Sequence, residues 1–176
     1  LIVNAGVRYD HVRTNIHSYT DWFKTPVSAT ATIYKERSQD LCRSFNSLTW
    51  SAGINYATAG WILKANIGKS FRVPIPKELG TDGVNYHIFR YEKGNPNLNP
   101  EESYQLDAGI HWGNDRLTIQ FDPYLNYFPN YIYMNPTPNY YEGLQWYYYT
   151  QSRVIRCGFE LQADWKILPS LSAEFK

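Results

Sequence analysis

The sequence predicts an all-β protein of antiparallel up-and-down strands, forming part of a transmembrane β-barrel. Three observations carry that prediction. Apolar and polar residues alternate with period 2 along most of the chain, and no helical period competes with it. Aromatic residues make up 17% of 176 positions, with 16 Tyr, 8 Phe and 6 Trp. A barrel uses such amphipathic rings in two girdles at the membrane interfaces. The connections alternate between short and long, as they do between the periplasmic and extracellular rims of outer-membrane barrels.

The strands follow in order. Leu1, Val3, Ala5, Val7 and Tyr9 share one face of the first. Leu48, Trp50, Ala52, Ile54 and Tyr56 share a face of the second, with Thr49, Ser51, Gly53 and Asn55 opposite. The short turn Thr58–Gly60 leads to a third, with Trp61, Leu63, Ala65 and Ile67 on its apolar face. A fourth sets Tyr104, Leu106, Ala108, Ile110 and Trp112 against Ser103, Gln105, Asp107 and His111. After the tight turn Gly113–Asp115, Leu117, Ile119 and Phe121 open a fifth that runs towards Tyr133. A sixth runs from about Leu144 to Ile167, with Phe159, Leu161, Ala163 and Trp165 against Glu160, Gln162, Asp164 and Lys166. Leu168–Ser170 turns into a seventh, with Leu171, Ala173 and Phe175. The expectation is therefore about seven consecutive strands of a larger barrel. Thr14–Arg43, Arg72–Pro100 and the shorter Asn135–Gly143 are the expected long or irregular connections.

Composition narrows the function classes. The net charge is +1, from 17 basic and 16 acidic side chains, which lacks the basic excess of a nucleic-acid binder. No run approaches the about 18 apolar residues of a membrane helix. A mean hydropathy of -0.51 excludes a helical membrane protein and leaves a barrel open. The start, "LIVNAGVRYD", has no signal-peptide pattern, and both termini fall in mid-strand. The chain thus reads as a piece of a longer protein. Alternation alone leaves a second fold open, an aromatic-rich soluble β-sandwich, because an apolar strand face suits a facing sheet as well as lipid.

The stretch Ser70–Ile110 decides between them. Phe71-Arg72-Val73-Pro74 ends one strand, Asn95-Pro96-Asn97-Leu98 follows a long loop, and Pro100-Glu101-Glu102-Ser103-Tyr104 opens the next strand. This arrangement resembles the TonB-dependent receptor family of Gram-negative outer membranes, whose FRAP-like and N-P-(D/N)-L boxes flank a surface loop. Val73 stands where that family usually has alanine. The resemblance continues in "CGFELQADW" (Cys157–Trp165), in "LPSLSAEF" and in "GVRYD" (Gly6–Asp10).

The resemblance implies residues 1–176 as part of a single barrel domain of roughly 22 strands, with the plug domain and the C-terminal strand absent. It implies an outer-membrane active transporter that imports a scarce, large nutrient: a siderophore, haem, cobalamin, a metal complex or a glycan. Its partners would be outer-membrane lipid, the cargo, and the TonB energy-transducing complex reached through the missing plug.

Within the loop between the boxes, Tyr86, His87, Arg90 and Tyr91 are the candidate ligand-binding side chains. Phe71, Arg72, Asn95 and Pro96 are expected to shape the loop, since the boxes recur among receptors for different ligands. Resembling haem receptors carry a histidine between the boxes, and a neutral imidazole ligates iron. His11, His17 and His111 show no metal-site spacing, and no resident cofactor is implied.

Two rival functions bear on the residues. A barrel enzyme would need a nucleophile with a base, yet Ser70 and Ser103 have no visible partner and no catalytic motif occurs. Glu101 and Glu102 face opposite ways on a strand. A soluble carbohydrate-binding module would use "QWYYYT" (Gln145–Thr150) as an exposed aromatic platform. Cys42 and Cys157 are expected unbridged, one beside the first loop and the other on the lipid face of a strand.

Overall fold

The computed structural model describes residues 1–26 and 29–176. Val27 and Ser28, inside the expected first loop, lie outside the described residues. Long strands run up and down in sequence order: β1 (Ile2–Ile16), β4 (Leu41–Thr58), β5 (Trp61–Arg72), β8 (Glu101–Gly113), β9 (Leu117–Tyr141), β10 (Leu144–Leu168) and β11 (Leu171–Phe175). Each pairs antiparallel with the next, from β1–β4 to β10–β11. These are the seven strands that periodicity predicts. The sheet is open, because β1 and β11 do not meet.

Register shows that the alternation is coherent across the whole sheet. Val7 lies opposite Trp50, Leu63 opposite Ile110, Ile110 opposite Phe121, and Phe121 opposite Leu161. On the other face, Asn66 lies opposite Asp107, Gln105 opposite Asn126, and Asp122 opposite Glu160. A single slip in any ladder would exchange the two sets. Trp50, Ile54, Leu63, Leu106, Ile110, Ile119, Leu161 and Trp165 thus share the apolar face. Asn55, Gln105, Asp107, Glu160 and Gln162 share the polar one. Among the described residues no second sheet covers the apolar face: Val7 is 75% and Phe159 65% exposed. That leaves lipid as its solvent.

Local chemistry explains the interruptions. The β8–β9 ladder skips from Asp107–Tyr124 to Ile110–Phe121, where Pro123 has no N–H to donate. The turn between β9 and β10 needs no long loop. Glu142 (φ 48°) and Gly143 (φ 79°) are both left-handed, the two-residue geometry that matches strand twist. Asn135–Gly143 is therefore ordered strand and tight turn, correcting the expected irregular connection. β9 and β10 are 25 residues each, far beyond the about 9–11 that cross a bilayer. Their outer halves stand above the membrane.

The other two long connections are also structured. The first holds a separate hairpin of β2 (Tyr19–Pro26) and β3 (Thr32–Ser38). The second holds α1 (Pro76–Gly80) and the hairpin β6 (Asp82–Asn85) and β7 (Arg90–Lys93). β7 adds to β10 in parallel, with Tyr91 opposite Trp146. The expected irregular loop from Pro74 to Pro100 is thus replaced by a folded unit.

That unit is held by the core. Ile16, Phe45, Leu79, Leu98 and Ile132 form a buried cluster, with Leu41, Val73 and Tyr149 packed against it. Phe45 and Ile132 have the parity of the polar, lumenal face. Above the membrane that face turns apolar, and the loop residues Leu79 and Leu98 cover it. At the register shift between Ser152 and Val154 β9 carries one extra residue, and above it Ile132 lies opposite Gln151 and Met134 opposite Tyr149, so Tyr149 shares the side of Ile132.

Candidate functional site

The loop between the boxes is anchored first at its base. Both ladders end at prolines: β5 stops at Arg72 and β8 starts at Glu101, with Pro74 and Pro100 just outside. Arg72 Nη1 donates to both carboxylate oxygens of Glu78, at 3.0 and 2.9 Å. Its Nη2 donates to Glu101 Oε2 at 3.2 Å. Glu101 Oε2 also accepts the Ile132 N–H at 2.8 Å, and Glu78 Oε2 accepts the Ile75 N–H at 2.9 Å. One guanidinium therefore joins the end of β5, the start of β8 and the first turn of α1. Asn95 N donates to the Glu78 carbonyl at 2.8 Å, and Arg43 donates to the Pro96 carbonyl. All these contacts of the two boxes shape the loop.

The next layer supports the hairpin. Tyr91 is 2% exposed. Its ring stacks on Trp146 at 5.0 Å, its hydroxyl donates to Asp82 Oδ1, and Lys35 Nζ lies 5.0 Å from its centroid. Burial pushes the Tyr91 phenol well above its ordinary range, and the hydrogen bond to Asp82 adds to that. Arg90 Nε donates to Glu92 Oε1 at 2.8 Å, and its guanidinium lies 4.8 Å above the Tyr147 ring. The run expected as an aromatic platform in the sandwich reading is thus occupied by the loop. Tyr86 and His87 sit in the turn between β6 and β7 and are exposed. Asn85 Oδ1 accepts the His87 N–H at 3.2 Å, and the Tyr86 ring lies 6.0 Å from Phe23 of β2.

Of the four candidate residues, the fold therefore sets two at the exposed tip and two beneath it. Sequence reasoning missed Glu92, which is 2% exposed and holds the base of the tip. The i, i+2 spacing of Arg90 and Glu92 on a strand was the available signal. It also missed Lys35, Arg37 and Phe23, which reach the loop from a distant hairpin and leave no local pattern. A cleft of about 250 Å³ between β3 and α1, lined by Glu36, Asp40, Leu79 and Asp82, is below the roughly 300 Å³ of small-molecule sites. Among the described residues no His, Cys, Asp and Glu group is arranged to hold a metal. Cys42 and Cys157 are free and exposed.

This geometry can be set beside known proteins. The family model described as "TonB dependent receptor-like, beta-barrel" matches residues 1–175. The chain belongs to the TonB-dependent receptor family. That places this receptor chain in the outer membrane of a Gram-negative bacterium and removes the soluble sandwich. Among solved structures it is similar to the Serratia marcescens hemophore receptor HasR in complex with its hemophore HasA and heme. The identity is 22% and the TM-score 0.66, over 93% of this chain and 29% of that one. The copper transporter OprC shares 17% identity with a TM-score of 0.70, over 98% and 25% of the two chains. The siderophore receptor PirA of Pseudomonas aeruginosa shares 18% with a TM-score of 0.58, over 97% and 33%. At such identities these likenesses show the fold alone. The chain spans a third or less of each of these receptors. No significant match occurs among curated protein sequences.

Proposed function

We propose that the full-length receptor is a TonB-dependent active transporter for a scarce, large metal complex of the siderophore or haem class, and that Tyr86 and His87 help to read it. The observation that carries this reading is the split within one hairpin. Its feet are buried on a rigid wall, while Tyr86 and His87 at the tip are exposed. Recognition from outside the cell needs exposed groups on a fixed scaffold. The His87 imidazole, which has no side-chain partner among the described residues, is also a competent metal ligand. The heme and the siderophore named for two of the similar receptors support the same class. Arg90 and Tyr91 contribute from below by fixing the hairpin.

The chemistry in this reading is binding and gated passage, with no covalent step. The polar face lines the lumen, a plug outside this chain closes it, and the TonB complex supplies the energy through that plug.

The test is equilibrium binding of haemin, a ferric siderophore and cobalamin to the detergent-solubilised full-length receptor and to its Tyr86→Ala and His87→Ala variants. Loss of a hydrogen bond or ligation costs about 1–3 kcal/mol, a roughly ten-fold or larger fall in affinity, with assembly intact. Unchanged affinity for every cargo in both variants would assign recognition to the plug and the other loops.

A further inference from the structure

We infer that Glu92 is the positioning residue that holds the His87 tip in its presenting conformation, so that cargo recognition depends on a carboxylate the cargo never touches. The inference rests on the role proposed above for the tip.

The turn Tyr86–Phe89 is not a relaxed one. Phe89 has φ of 50°, the left-handed region that a bulky side chain adopts only when its surroundings impose it. Three of the tip's side chains, Tyr86, Ile88 and Phe89, are exposed, with Phe89 at 73%. Apart from the contact of the Tyr86 ring with Phe23, the constraint therefore comes from the feet of the turn.

Both feet converge on Glu92. Its Oε1 accepts Asn85 Nδ2 at 3.0 Å and Arg90 Nε at 2.8 Å. Asn85 and Arg90 are register partners that close the hairpin below the turn. Asn85 then uses its remaining oxygen to accept the His87 N–H. Glu92 Oε2 lies 2.7 Å from Lys77 Nζ, which ties the same carboxylate to α1. A chain of hydrogen bonds, charge-assisted as far as Asn85, thus runs from α1 through Glu92 to the backbone of His87. The carboxylate is buried, so water does not substitute for a lost partner.

The charge of Glu92 is what the clamp uses. Burial alone would raise its carboxyl, but the donors Lys77, Arg90 and Asn85 outweigh that and hold it below the usual range. The groups facing it are Lys77 from α1, Asn85 and Arg90 from its own hairpin, and Tyr149 from β10 within electrostatic reach. Because the folded value is lowered, the clamp is in place above the ordinary carboxyl range and is lost as pH falls through the folded value.

The test uses the full-length receptor in detergent, with Glu92→Gln, Asn85→Ala, His87→Ala and the Glu92→Gln/His87→Ala pair. Hydrogen exchange of the amides at 86–90 reads the tip without any cargo. The expected result is exchange about ten-fold faster in Glu92→Gln and in Asn85→Ala, with β8 and β9 unchanged. Protection of these amides, corrected for intrinsic exchange, should fall on acidification in the parent and stay flat in Glu92→Gln.

Haemin titration then reads presentation. Glu92→Gln should weaken haemin binding about ten-fold, and adding it to His87→Ala should cost nothing more, because the two act through one contact. Unchanged tip exchange in both Glu92→Gln and Asn85→Ala would overturn the clamp. A loosened tip with haemin affinity kept in Glu92→Gln, while His87→Ala loses it, would overturn the dependence of recognition on Glu92. A loosened tip with affinity kept in every variant would leave the clamp standing and sink the cargo reading instead.

Discussion

Arg37 lies across Gly83 so closely that a Cβ on Gly83 would fall 1.9 Å from Arg37 Nη1. From that notch Arg37 Nη2 donates to the Val84 carbonyl at 2.8 Å. Lys35, on the same strand, sits 5.0 and 5.1 Å from the Tyr91 and Tyr141 rings. These side chains dock the β2–β3 hairpin, which has its own two-stranded sheet, onto the unit that carries the tip.

Gly83→Ala should therefore undock that hairpin. The methyl must displace the flexible guanidinium, and loss of a hydrogen bond from a charged donor costs about 1.5–3 kcal/mol. Limited proteolysis of the full-length receptor should show faster cleavage between Tyr19 and Ser38, with barrel resistance to detergent unchanged. Equal cleavage rates would show that Arg37 is not what holds the hairpin.

Arg72→Ala should loosen the loop base. It leaves Glu78 and Glu101 buried without their shared cation, and loss of one partner of a fully buried pair costs about 3–5 kcal/mol. Arg72 is partly exposed, so about 1–3 kcal/mol is expected here. Arg72→Lys should recover only part of this, since an ammonium cannot fork between two carboxylates. Hydrogen exchange at 75–80 ranks the three proteins, and a Lys variant equal to Arg would refute the fork.

Adjacent residues of β8 should respond oppositely to the same charge. Leu106 lies opposite Ile67 and Leu125, while Gln105 lies opposite Gly68 and Asn126. Leu106→Arg places a guanidinium in lipid, at about 2–4 kcal/mol. Gln105→Arg places it in the lumen, where water solvates it. Refolding of the full-length barrel into lipid vesicles under urea titration measures both. Similar losses at the two positions would contradict the assignment of faces.

The cysteines give a mapping test in intact cells. Cys42 pairs in register with Asn15 near the outer end of β1, and Cys157 pairs with Leu125 in the apolar stripe. A membrane-impermeant maleimide should label Cys42 and spare Cys157, and both should react after denaturation. Labelling of Cys157 in intact cells would remove β10 from the lipid boundary.

By itself the sequence determined the seven long strands, their faces and the two rims. Leu106 and Asp107 need only a two-residue period to separate, and Ala59–Gly60 needs only local backbone freedom to turn. The boxes around Arg72 and Asn95 marked the loop that carries the tip. What folding alone decided is where that loop goes. Any strand edge offers the same N–H and C=O groups, so nothing local to Arg90–Lys93 says that it will pair with Trp146–Tyr148. That pairing buries Tyr91 and leaves Tyr86 and His87 outside, though all three are similar polar residues in one loop. Glu92 shows the same limit. Its alternation with Arg90 is visible in the sequence, but its burial depends on Lys77 and the aromatic run of β10, which arrive from distant positions. Periodicity reports the face a residue takes, and only the long-range packing above the membrane reports what that face meets.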